Sequence, residues 1–229
     1  MSIKKSKRYQ EIITKVDPIV KYPVEKAIQL VKETATAKFD ETIDIAVKLS
    51  IDPKQADQAV RGAYSMPNGI GKQIRVVAFV DDINVEKAKA AGAIAAGGAD
   101  LADKIKNENW FEFDVAIAEP KMMRVVGGLG RVLGPKGLMP SPKAGTVVPD
   151  PIKAIAEFVS GKQEYKNDAG GNIHCMIGKV SFDGTKLAEN VVAFCRHLQS
   201  VKPSGVKGGQ YIQNVSISST MGPGVKLDI

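Results

Sequence analysis

Ser65-Met66-Pro67-Asn68-Gly69-Ile70-Gly71, with Ile74-Arg75-Val76-Val77-Ala78-Phe79-Val80 close behind, marks a change of rhythm in the chain. Glycine and proline break the first part, which reads as a linker. The second part is a nearly continuous apolar strand. Upstream the pattern is different. Ile43, Ile45, Val47 and Leu49 alternate with Thr42, Asp44, Ala46 and Lys48, the period of a half-buried strand. Before it, Tyr9, Ile12, Ile13 and Val16 mark a short amphipathic helix behind a basic arm of Lys4, Lys5, Lys7 and Arg8. Pro23 opens a second helix with Val24, Ala27, Ile28 and Val31 on one face.

Downstream, strand and helix alternate. Helical sequence around Val85 to Ala91 leads to a short strand near Ile94. A helix from Ala99 to Ile105, a strand from Val115 to Ala118 and a helix from Met122 follow. That order predicts a small parallel sheet with crossover helices. Asp150-Pro151 caps one more helix, with a stripe at Ile152, Ile155, Ala156 and Val159, and Gly161 ends it. Then the first style returns. Ile173, Cys175 and Ile177 sit at strand spacing, and Leu187, Val191, Phe194, Cys195 and Leu198 form a helical stripe. A last strand alternates Val215 and Ile217 with Ser216, Ser218 and Thr220. The expected fold is α/β in two domains. Residues 1–69 and 163–229 form a discontinuous α+β split-sheet domain, and residues 70–162 form a Rossmann-like parallel α/β insert.

The 229 residues are 44% hydrophobic and carry 32 basic against 25 acidic side chains, a net charge of +7. Such a chain has room for a core and favours polyanionic partners. The opening MSIKKSKRYQE lacks the apolar stretch of a signal peptide, and no run is long enough to span a bilayer, so a cytoplasmic protein is expected. Cys175 and Cys195 fall on apolar faces and read as core thiols. The excess charge is uneven: residues 119–162 hold seven basic and three acidic residues, whereas 72–118 hold six and eight.

Much of that basic end is Glu119 to Thr146, EPKMMRVVGGLGRVLGPKGLMPSPKAGT. Lys121, Arg124, Arg131, Lys136 and Lys143 share it with six glycines, four prolines and one acid. Backbone without side chains permits close approach, and fixed turns splay the cations, which suits a phosphate backbone. So many turns predict a stretch outside the core. The last strand offers a second surface. With Val215 and Ile217 inward, Ser216, Ser218 and Thr220 face out beside Thr42, Asp44, Ala46 and Lys48. Such a face has no aromatic platform for splayed bases but reaches 2′-hydroxyls across the shallow groove of folded RNA. Gly222 would let the backbone approach a ribose, with Phe39 packed nearby. An ordinary solvated sheet has the same pattern.

Five segments occur in a telling order: Lys38-Phe39-Asp40-Glu41-Thr42, Val60-Arg61-Gly62, Gly127 through Pro140, Pro142-Lys143-Ala144-Gly145-Thr146, and Thr220-Met221-Gly222-Pro223. On these the chain resembles the bacterial large-subunit ribosomal L-one family along essentially its whole length. The resemblance implies a structural protein that binds large-subunit ribosomal RNA as the mobile stalk beside the exit site, assisting movement and release of exit-site transfer RNA. It also implies repression of translation through the messenger RNA of its own operon. Carried over where the segments match, the RNA-binding residues are Lys38, Phe39, Thr42, Asp168, His174, Ser218, Thr220, Met221 and Gly222. Arg131, Lys136 and Lys143 are the candidates for facing transfer RNA. No cofactor, metal or small-molecule substrate is expected.

Two other readings compete. A nonspecific polyanion binder would rely on the basic arm and discriminate little among RNAs. An α/β nucleotide-binding enzyme would use Gly128-Leu129-Gly130-Arg131-Val132-Leu133-Gly134, but this run has three residues after its second glycine, follows helical sequence, and is accompanied by no Walker A segment. His174 and His197 have no partners at ligand spacing, which argues against catalysis.

Overall fold

The computed structural model describes residues 6–55, 57–206 and 209–228. Lys4 and Lys5 of the expected basic arm lie outside them. In chain order the described elements begin α1 (Lys7–Ile13), α2 (Val24–Thr34), β1 (Thr42–Leu49), β2 (Arg61–Ser65) and β3 (Val76–Phe79). Next come α3 (Val85–Ala90), β4 (Ala95–Gly97), α4 (Ala99–Glu108), β5 (Val115–Ala118), α5 (Met123–Gly127), α6 (Gly130–Leu133) and α7 (Pro151–Val159). The chain closes with β6 (Lys162–Lys166), β7 (Asn172–Lys179), α8 (Gly184–Ser200), β8 (Ile212–Ser219) and β9 (Val225–Leu227). It divides into two compact units, Met1–Lys72 with Tyr165–Ile229, and Gln73–Glu164.

The first unit is two-layered. Its antiparallel sheet runs β7-β1-β8-β9, so the strand nearest the amino terminus lies between two strands from the far end of the chain. Ile43, Ile45, Val47 and Leu49 of β1 are all buried, as the alternation predicts, and meet Ile173 and Ile177 of β7 and Val215 and Ile217 of β8. α2 and α8 cover this apolar face with Ile28, Val31, Leu187, Val191, Phe194 and Leu198. Each such side chain contributes about 2 kcal/mol of transfer free energy, so the four-residue stripe of β1 alone fixes which side of the sheet is wet. β9, absent from the sequence expectation, extends the sheet, and Tyr22 hydrogen-bonds along its outer edge.

The second unit holds the parallel sheet β4-β3-β5. All four residues of β3 are buried because helices cover both faces: α3 and α7 on one, α4 with α5 on the other. The Asp150 side chain caps α7 as expected, accepting from the Lys153 amide. The buried face of that helix differs from the expected stripe. It is Pro151, Ala154, Ile155 and Phe158, while Ala156 is exposed. Phe158 is the largest apolar group of the helix, and burying its ring sets the phase. β2 and β6, also unanticipated, pair as a two-stranded ribbon; they are short and lack a clean apolar alternation.

The linker read at Ser65–Gly71 is more tightly held than its composition implies. Met66 and Ile70 are buried. Gly71 has φ +68°, and a Cβ there would lie 2.6 Å from the Phe182 ring. Asn190, fully buried on α8, accepts from the Asn68 amide (3.1 Å) and donates to the carbonyls of Gly69 (3.0 Å) and Ile177 (2.9 Å). One side chain thus ties the linker to β7 and α8. Asn190→Ala strands three backbone groups and is expected to lower unfolding free energy by about 3 kcal/mol, measured by urea denaturation. A change below about 0.5 kcal/mol would mean that water replaces the amide at no cost.

Candidate nucleic-acid interface

The wet face of the sheet is organised by register. Asp44 of β1 sits between Met176 of β7 and Ser218 of β8, and Ala46 sits between His174 and Ser216. Lys48 lies opposite Asn172 and Asn214, and Lys226 of β9 extends the row of Ser216. The expected outward set is therefore one surface of hydroxyls, amides and scattered charges. Burial pushes the Asp44 carboxyl above the ordinary aspartate range, with His174 and Lys179 opposing it. Two cations of this face are already held by neighbouring oxygens. Lys48 donates to the Gly170 carbonyl. Lys179 donates to the Asp40 carbonyl (3.2 Å) and the Thr42 hydroxyl (2.9 Å).

Asp168 and His174 lie toward one end. Asp168 accepts from the Asn172 amide (2.7 Å), the Asn172 side chain (3.0 Å) and the Gly170 amide (2.8 Å), and approaches His174 Nε2 at 3.6 Å. Those bonds, led by the Asn172 side chain and amide, hold its carboxyl at about 2. It is a carboxylate at neutral pH whose lone pairs order the turn leading into β7 and steer the imidazole.

The other expected residues gather at the opposite end, about 13 Å away along four strand residues. Here the turn after β8 meets the segment entering β1, and Glu41 joins them. Its side chain is 1% exposed. One oxygen accepts from the Ala37 amide (3.0 Å), the other from the Met221 amide (2.9 Å). Burial works against the charge, but the Met221 and Ala37 amides, the Ser219 hydroxyl and the Arg8 guanidinium together lower the Glu41 pKa. Arg8 closes the arrangement from outside, donating to the Thr36 hydroxyl and the Met221 carbonyl, each at 3.0 Å. On the next turn Asp40 accepts from the Ser181 amide (3.1 Å) and hydroxyl (2.8 Å).

This clasp presents Lys38, Phe39, Thr42, Thr220, Met221 and Gly222 together. Phe39 is 56% exposed and Met221 46%, large apolar groups held in water by their backbone. Thr220 differs from the sequence expectation. Its hydroxyl accepts from the Thr42 amide (3.0 Å) and donates to the Thr42 carbonyl (3.2 Å), closing the sheet end by mimicking one more backbone pair. One lone pair remains for a ligand. Gly222 also has a reason internal to the protein. A Cβ there would lie 2.4 Å from Ser219 Oγ, so any larger residue would force that buried hydroxyl to turn aside.

Glu41 and Arg8 were not singled out from sequence. The signal for Glu41 was present: it occupies the inward phase of Ile43, Ile45, Val47 and Leu49. An acid in that phase needs dedicated donors. Ser219 likewise follows Val215 and Ile217 in phase and is buried.

In the second unit Arg131, Lys136 and Lys143 are exposed. Lys136 and Lys143 lie in turns, as expected, but the run before them folds into α5 and α6, which carries Arg131, and Val126, Leu129 and Leu133 enter the core beside Phe79 and Ile105. Apolar residues at three- and four-residue spacing outweigh the helix cost of glycine. Lys136 lies 4.1 Å over the Phe111 ring. Gly128-Leu129-Gly130 falls between two helices instead of closing a strand, so it builds no dinucleotide cradle. Burial pushes the Cys175 thiol to about 12 and the Cys195 thiol to about 11, and both are free and inert. His197 stacks on Tyr64 and hydrogen-bonds the Tyr165 hydroxyl at 2.8 Å. Partial burial lowers its pKa, which favours the neutral ring.

The two reasons for glycine at position 222 are separable. Gly222→Ala is expected to lower the melting temperature, and adding Ser219→Ala should restore most of it by removing the clashing oxygen. If the double variant regains stability but still binds RNA at least tenfold more weakly, a ligand also needs the open approach. Full recovery of both would leave the intramolecular reason alone.

The Ribosomal protein L1p/L10e family profile matches residues 31–223. The chain is 49% identical to the large ribosomal subunit protein uL1 of Thermosipho africanus (strain TCF52B) over 225 residues, 98% of this chain and 97% of the relative. It is also 49% identical to the protein of the same name from Mycoplasma capricolum subsp. capricolum over 223 residues, 97% and 98% of the two chains. Members of this family are structural proteins and not enzymes. The match spans both units and includes the Glu41 clasp and the glycine-rich helices alike, and the chain belongs to the ribosomal protein L1p/L10e family.

Proposed function

We propose that the chain is a structural protein of the large ribosomal subunit, located with the ribosome in the cytoplasm, whose first unit grips ribosomal RNA with the clasped end of its sheet. One observation carries the reading. A buried carboxylate ties the turn bearing exposed Met221 to the segment bearing exposed Phe39, next to a Thr220 hydroxyl with one free lone pair, in a chain of net charge +7. Exposed apolar groups beside hydroxyls suit the wide, shallow groove of folded RNA, where ribose edges and unstacked bases are within reach. Lys38 supplies phosphate attraction beside them. Asp168 acts at a distance from the ligand, by aiming His174.

The finer reading rests on family likeness. The bound RNA is the stalk beside the exit site. The second unit turns Arg131, Lys136 and Lys143 toward departing transfer RNA, and a similar fold in the operon messenger is the target of repression. A chain that holds one RNA through a rigid patch can meet a second through another unit with no shared residue.

Pulldown of RNA from lysate with the full chain, followed by sequencing, tests the central statement. Enrichment of one large-subunit segment supports it, and uniform recovery of all RNAs refutes it. Against that fragment, Lys38→Ala is expected to flatten the dependence of log affinity on log salt by about one unit. Thr220→Val should leave the slope unchanged while costing about 1 kcal/mol of affinity, together with some stability because the Thr42 amide loses its partner. Equal changes of slope from both variants would contradict the assignment.

A further inference from the structure

The face of the first unit remote from the polar sheet surface carries a groove that the RNA reading leaves unused. α2 and α8 lie side by side on the sheet, and their outer surfaces border a cavity of about 790 Å³. A second, of about 510 Å³, shares Glu25, Ala188 and Glu189 with it and continues toward Arg196. The floor is apolar, formed by Ile28, Ala188, Val192 and Ala193, and the groove exists because two of these are alanines. The rim is acidic, with Glu25, Glu33, Asp183 and Glu189.

The rim carboxylates are hydrogen-bonded only to neutral groups, with Lys32 acting on Asp183 at longer range. Glu33 accepts from the Gln29 side chain (3.1 Å), Glu189 from the Asn68 side chain (2.7 Å) and Asp183 from the Thr185 hydroxyl (2.8 Å), all neutral donors. Among the described residues no ion pair within 4.0 Å involves any of the four carboxylates. Lys32 is the cation in the wall of the larger cavity, and its ammonium is given to the Phe182 carbonyl. Glu25, Gln29 and Glu33 stand four residues apart, a single row along one side of α2.

In a chain of net charge +7, four acids without an ion-pair partner within 4.0 Å around an apolar floor run against the general charge. Phosphates are repelled from this face, while a cationic segment is attracted to it. We propose that the groove docks an amphipathic, lysine- or arginine-bearing helical segment of a partner protein. The aliphatic side of the segment lies on Ile28, Ala188 and Val192, and its cations meet Glu25 and Glu33. This is the helix-in-groove mode, with charge fixing the direction of the helix. It stands independently of the RNA reading, because it shares no residue with the sheet face.

The test uses the full chain and a synthetic helical peptide with leucine on one face and lysine on the other. The same peptide with glutamate in place of lysine is the comparison. The lysine peptide is expected to bind in fluorescence anisotropy and to shift amide resonances of α2 and α8. Binding should weaken about tenfold or more with the exposed pair Glu25→Lys and Glu33→Lys, and again with Ala188→Trp, which fills the floor. Unchanged thermal melting and RNA affinity would show both variants folded. If Ala188→Trp unfolds, the charge-reversed pair carries the test alone. Equal affinity for folded variants, equal binding of the glutamate peptide, or amide shifts confined to other surfaces would overturn the proposal. So would competition by an RNA fragment for the groove, or self-association that the charge reversal abolishes, which would assign the groove to a second copy.

Discussion

The clasped end of the sheet in the first unit is built around one buried carboxylate. Glu41 links the segment entering β1 with the turn leaving β8, two pieces of chain 180 residues apart, through one amide on each. A carboxylate accepting backbone N–H groups is among the stronger neutral-to-charged contacts available, and leaving it unpaired in the interior would be costly. Because its folded pKa is lowered, its contribution is fully present above the ordinary glutamate range. It is lost only as pH falls through the lowered value. The clasp is therefore intact at any pH near neutrality. Arg8 adds a second tie from outside, so the first helix belongs to the same arrangement.

A rigid end of this kind answers a physical problem of RNA recognition. A side chain that must find its pose on contact loses conformational freedom at that moment, which weakens binding. Here orienting bonds exist beforehand: Thr220 is fixed by Thr42, Lys179 by Asp40 and Thr42, and Lys48 by Gly170. Many of the polar groups thus serve the protein first. The same economy explains Gly222, whose missing Cβ makes room for Ser219 before it makes room for any ligand.

Where the apolar pattern was strong, fold and sequence agreed. The stripes of β1, β8 and α8 read correctly because each buries a continuous face, and the change of rhythm after Ser65 coincided with the passage from antiparallel to parallel sheet. The failures have specific causes. β2, β6 and β9 are short and carry little alternation, so their pairing is decided by neighbours. The glycine-rich run looked like turns by composition, yet Val126, Leu129 and Leu133 at helical spacing won. At the candidate site, the residues brought together were legible as segments of a family resemblance, but the internal bonds of Thr220 and Asp168 were not. Those bonds depend on contacts between distant parts of the chain. Glu41 was legible in principle from its inward phase.

The most direct test of the account is native-state amide hydrogen exchange of Glu41→Gln, with RNA affinity measured on the same sample. A glutamine keeps the size but has one accepting oxygen for two amides. The account predicts faster exchange at Ala37 and Met221, unchanged protection in the centre of β1, and a loss of RNA affinity with little change in salt slope. Unaltered exchange at both amides, or fast exchange with full RNA affinity, would contradict the central place given to this carboxylate.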